Sequence, residues 1–63
     1  MSGENEFFSP TTLAEYLDVP LPTIYQWRYQ GKGPTAIKVG RHVRYRRQDV
    51  ERWLEACAAD PAR

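Results

Sequence analysis

The 63-residue chain has a single cysteine, Cys57, and a single histidine, His42. An internal disulfide framework is therefore excluded, and these residues cannot assemble a zinc ligand set. No run of about 18 apolar residues occurs, and no signal-peptide pattern opens the chain, so it reads as neither membrane-spanning nor secreted. A cytoplasmic protein is expected, where a lone thiol is unremarkable. The length suits one domain, since two separate cores do not fit, and the one core must be small. Repeats and low-complexity tracts are lacking as well. What the chain does have is eight aromatic residues, which fill a small core economically.

The net charge of +1 conceals a segregation. Nine basic residues face eight acidic ones overall. Between Arg28 and Arg47 there are seven bases and no acid, so the other residues hold two bases and eight acids. Such a dipole points to an anionic partner, nucleic acid first among them. A solvated charged loop is the plainer explanation. The pattern within the segment decides between them.

The helical signals are local and specific. In "FFSPTTLAEYLDV", Ser9 suits the N-cap and Pro10 the first helical position. Phe8 and Leu13 have the spacing of a hydrophobic staple. A first helix is expected over Pro10–Leu17, with Leu13, Ala14 and Leu17 inward. "DVPLPT" stops it. Pro22 fits the first turn of a second helix over Leu21–Gln30, ending at Gly31. Ile24 and Trp27 would face inward, with Thr23, Tyr25, Gln26 and Tyr29 projecting elsewhere and Arg28 at the boundary. Near the end, Val50, Trp53, Leu54 and Cys57 form an i, i+3, i+4, i+7 stripe, which predicts a helix over Gln48–Ala59. Asp49 and Glu51 in its first turn suit the helix dipole.

Between the last two helices, "GKGPTAIKVGRHVRYRR" reads as two strands around Gly40. A two-residue loop, Gly40-Arg41, would mix apolar and charged residues on each face. A three-residue loop, Gly40-Arg41-His42, would pair Val39 with Val43 and Ile37 with Tyr45, gathering the apolar side chains on one face, and is the loop expected here. In that register Lys38 stands opposite Arg44 on the outer face, with Arg46 beyond and Arg41 and His42 at the tip. Opposed like charges oppose folding, so an external polyanion is what would make the arrangement useful. Cations that protect an edge strand account for one or two such residues, not for five around one turn.

Helix, helix, two-stranded wing, helix is the order of a winged helix-turn-helix, an α+β fold. In a helix-turn-helix the second helix enters the major groove. Its candidate DNA-binding residues are Thr23, Tyr25, Gln26, Arg28 and Tyr29. Gln26 is suited to adenine, Thr23 to a thymine methyl or phosphate, and Arg28 to phosphate or guanine. Those of the wing are Lys38, Arg41, His42, Arg44 and Arg46, across the backbone or in the minor groove. Trp27, Trp53 and Tyr45 read as core. The apolar residues Leu13, Leu17, Ile24, Val39, Val43, Val50 and Leu54 are expected to join them, leaving no exposed stripe for a stable dimer. Glu15, Asp49, Glu51 and Glu55 lie on solvated helix faces without a cleft, so no catalytic set, and no cofactor or metal, is expected.

The segments "TIYQWRYQGKGP" (Thr23 to Pro34), "KVGRHVRYRR" (Lys38 to Arg47) and "DVERWL" (Asp49 to Leu54) resemble the excisionase-type DNA-binding domains, relatives of the MerR-like winged helix-turn-helix proteins. The resemblance covers Phe8 to about Cys57. It departs at "PLP", Pro20 to Pro22, where relatives usually carry Ser and basic residues. It implies a non-enzymatic, sequence-preferring duplex DNA-binding protein of a bacterium, phage or mobile element. By resemblance, Thr23, Tyr25, Gln26 and Arg28 fall on the recognition helix and Arg41, His42 and Arg44 on the wing.

The domain is expected over 8–59, with a flexible N-terminus over 1–7 and a tail over 60–63. A MerR-type regulator normally adds a dimerisation helix and an effector domain, and here about six residues follow the last apolar stripe. An excisionase is therefore expected, binding repeated sites, bending DNA and directing integrase-mediated excision. It would be a monomer in solution that assembles head to tail on DNA. A small MerR-like transcriptional regulator and an adaptor for an acidic protein partner are the alternatives.

Overall fold

A computed structural model describes residues 6–59. The order is β1 (Phe7–Phe8), α1 (Pro10–Leu17), α2 (Leu21–Gln30), β2 (Ala36–Val39), β3 (His42–Arg46) and α3 (Arg47–Ala58). This is an α+β winged helix-turn-helix. The hairpin is widened by β1 into a three-stranded antiparallel sheet of order β1-β3-β2. Of the flexible N-terminus expected over 1–7, residues 1–5 lie outside the described residues, but Phe7 already pairs with Arg46. The expected tail over 60–63 also lies outside them.

Both N-terminal helices form over the expected residues. Ser9 caps α1 from an extended backbone and accepts the Thr12 N–H at 3.1 Å. The Thr12 hydroxyl accepts the Ser9 N–H at 2.8 Å in return. This reciprocal pair is a capping box with threonine at N3. α1 ends at Asp18, which takes a left-handed conformation at φ 59, one that Asp tolerates better than most residues. After Val19, Pro20 leads into α2, which ends at Gly31, φ 74.

The hairpin differs from expectation. The pairs are Val39 with His42, Lys38 with Val43, Ile37 with Arg44 and Ala36 with Tyr45, so the loop is the two-residue Gly40-Arg41. Turn chemistry explains this. A two-residue II′ turn wants glycine first, and a three-residue loop wants a left-handed residue last. Gly40 is first and has φ 61, whereas His42 is not among the positive-φ residues. Ala36, Lys38, Val43 and Tyr45 therefore share the inner face, and Ile37, Val39, His42, Arg44 and Arg46 the outer one. Lys38 does not oppose Arg44. Val39, expected in the core, is 54% exposed.

The core is Phe8, Leu13, Ala14, Ile24, Tyr45 and Val50, each at most 5% exposed. Phe8 and Tyr45 are cross-strand neighbours, so β1 contributes a ring that a two-stranded wing would lack. Trp27 and Trp53 are half-buried and not central. Their rings pack on each other at a centroid distance of 5.2 Å. The stripe along α3 is graded in the same way, from fully buried Val50 to half-buried Leu54 and Cys57. α3 starts at Arg47, one residue earlier than expected, and is anchored there. The Arg47 N–H reaches the Glu6 carbonyl at 2.9 Å. Its guanidinium sits 5.2 Å from the Phe8 ring centre and 5.5 Å from that of Tyr16, and donates to Glu51 at 3.1 Å. That hydrogen bond to Glu51 is the main reason the Arg47 pKa is raised further above its ordinary value.

Candidate nucleic-acid interface

Burial of Ile24 fixes the rotation of α2 and so decides what the helix presents. Gln26, Arg28 and Tyr29 are exposed, Tyr29 at 92%. Tyr25 is about half exposed and Thr23 half-buried. The helix thus carries one outward strip of hydrogen-bonding and aromatic groups, the donor and acceptor types that read base edges. Two prolines, Pro20 and Pro22, open it, with no side-chain cap at its start.

The wing divides its cations between two faces. Arg41 is exposed in the turn, and His42 is exposed at the start of β3. Arg44 is half-buried on the outer face, and its Nη1 donates to the Val43 carbonyl at 2.7 Å. Arg46 lies on the same face but pairs with Asp49 at 3.0 Å. Lys38 is exposed on the inner face, the side turned toward the helices. Among the described residues, Arg28, Lys32, Lys38, Arg41 and Arg44 form no ion pair, whereas Arg46 and Arg47 each meet a carboxylate.

Helix and wing meet at Tyr45. Its ring is buried, which pushes the phenol above its ordinary pKa of 10.0, while the nearby Arg28 guanidinium pulls it back and Tyr25 adds to the rise. Arg28 therefore stands between the outward strip of α2 and the sheet. Together with Lys32 and Lys38 it lines an open groove of about 490 Å³ between the end of α2 and β2. Lys32 is absent from the residues expected at the site. Its signal in the sequence is the "GKG" turn inside the basic segment, which gives the charge but not the placement. Among the described residues no three of His, Cys, Asp and Glu come together as a metal site. No helix of the described residues is long and apolar enough to cross a membrane.

The comparisons agree with this geometry. A family model described as a helix-turn-helix domain matches residues 7–58. No curated protein matches the chain.

Proposed function

The chain belongs to the helix-turn-helix domain family and is a DNA-binding domain, and from that premise we propose that it reads a preferred duplex sequence through α2 and holds the backbone through the wing. One observation carries the proposal. The outward strip of α2 is exposed and continuous with cations that have no acidic partner among the described residues. Thr23, Tyr25, Gln26, Arg28 and Tyr29 then face the major groove. Lys38, Arg41, His42 and Arg44 meet phosphates or the minor groove. Arg46 is the weakest member of the wing set, because Asp49 already neutralises it.

The role we propose is that of an excisionase, an architectural factor that loads onto neighbouring sites, bends DNA and directs a site-specific integrase. A single module of this size buries roughly 600–1,000 Å² on DNA and binds weakly alone. Adjacent copies compensate through effective concentration. The surface has the means for a head-to-tail contact. Glu15, Asp18 and Glu55 are exposed and unpaired among the described residues. The outer sheet face also exposes Phe7 and Val39, by 51% and 54%. A contact of unlike surfaces propagates along DNA and does not close.

The test combines sedimentation, mobility shifts and a recombination assay with a neighbouring integrase. The expected outcome is a monomer alone, stepwise cooperative loading on direct repeats, and raised excision. A stable free dimer that binds one inverted repeat in a single step would favour a small MerR-like regulator. Binding to an acidic protein with no affinity for any duplex would favour an adaptor.

A further inference from the structure

We infer that the groove between the end of α2 and strand β2 holds one strand of the DNA backbone, gripped by Arg28, Lys32 and Lys38. The inference rests on the reading in which α2 and the wing face DNA, and it adds a defined phosphate path and a residue, Lys32, to that reading.

The lining is cationic without compensation. Arg28, Lys32 and Lys38 are its charged members, the others being Gly31, Gly33, Pro34, Thr35, Ala36 and Ile37. No acid lines it, and the three cations form no ion pair among the described residues. Like charges around one groove repel and cost folding energy. At its C-terminal end the same segment avoids that cost, because Arg46 and Arg47 meet Asp49 and Glu51.

The placement is built by the turn and the register. Gly31 and Gly33 take φ of 74 and 81, flanking Lys32 with left-handed backbone. The Lys32 N–H is bonded to the Trp27 carbonyl at 2.7 Å. A Cβ at Gly33 would lie 3.2 Å from the Trp27 side chain, so the turn sits directly on that ring. The backbone carrying Lys32 is thus tied to α2, which fixes where its side chain starts at the edge of the groove. From the other wall, pairing of Lys38 with Val43 puts the lysine on the inner face of the hairpin, facing the groove. With the three-residue loop it would have pointed away. About 490 Å³ leaves room for a phosphodiester and its water.

The experiment is fluorescence anisotropy on a random-sequence duplex at several salt concentrations. The variants are Lys32→Gln, Lys38→Gln, their combination, Lys32→Arg and, as a charge-matched control on α3, Arg52→Gln. Each lost phosphate contact flattens the slope of log affinity against log salt by about 0.9. Between 50 and 200 mM salt, the loss of affinity should be about 3.5-fold smaller for each single Gln variant and about 12-fold smaller for the double. Lys32→Arg should restore the wild-type slope, and Arg52→Gln should leave it unchanged. A steep wild-type slope that Lys32→Gln and Lys38→Gln leave intact overturns the groove alone. A wild-type slope near zero overturns the DNA reading with it.

Discussion

At the scale of single residues, the proposed interface assigns reading and holding to different side chains. Gln26 is exposed on α2, has no role in the core, and carries the paired donor and acceptor that adenine requires. Gln26→Ala should cost roughly 1–3 kcal/mol on the preferred site and little on random duplex. Arg44 is a point of charge on the sheet. Arg44→Ala should weaken all duplexes alike and flatten the salt slope by about one unit. Affinity measurements on the two DNA types check both, and identical behaviour of the variants would contradict the division. Tyr45 makes a different prediction. Burial raises its pKa above 10.0, so the fold favours the protonated phenol. That stability is fully present below the unfolded value and is lost as pH rises through the folded one. Thermal melts should therefore show a Tm that falls above about pH 10, and Tyr45→Phe should reduce the fall.

At the scale of elements, the helices were legible and the sheet was less so. Ser9-Pro10, Pro22 and Gly31 are local signals, and they act locally, so α1 and α2 form where the sequence places them. In the hairpin two demands compete. Gathering Ile37, Val39, Val43 and Tyr45 on one face calls for the longer loop, the one expected from the sequence, whereas a glycine with positive φ at the first loop position suits the shorter. The turn prevailed because the inner face does not need all four residues. Tyr45 fills most of it, Ala36 lies beside it, and Phe8 from β1 covers the other flank. That strand is two residues long, too short to leave an alternation in the sequence. The same economy demotes the tryptophans. Trp27 and Trp53 were legible as apolar helix positions, but their packing is mutual and half exposed. Full burial of a large aromatic makes its loss cost about 3–5 kcal/mol. Trp53→Ala should cost less, about 2–3 kcal/mol, because part of the ring is already in water. In a domain of this size that is a drop in Tm of roughly 10–20 °C, measurable by circular dichroism. An unchanged Tm would mean that Arg47, Val50 and Leu54 hold α3 without Trp53.

At the scale of the whole molecule, charge is what the fold arranges. The chain is close to neutral, yet the sheet, the α2–β2 turn and the end of α2 collect cations, while most acids among the described residues lie on α1 and its cap or on α3. The sequence made the segregation plain and pointed to α2 and the wing as the candidate site. It did not show that the two C-terminal arginines of the basic segment are neutralised by Asp49 and Glu51, or that Lys38 faces the helices and not the outer face. Both depend on register and on the start of α3, which single-residue patterns do not fix. Within the basic segment five cations, Arg28, Lys32, Lys38, Arg41 and Arg44, are left without an ion pair among the described residues. If each displaces a counterion from duplex DNA, log affinity falls against log salt with a slope of about −4 to −5. That slope, measured for the wild-type chain by fluorescence titration, is the most direct test of the interface. A value in this range is the expected result, and a value near zero would contradict the account.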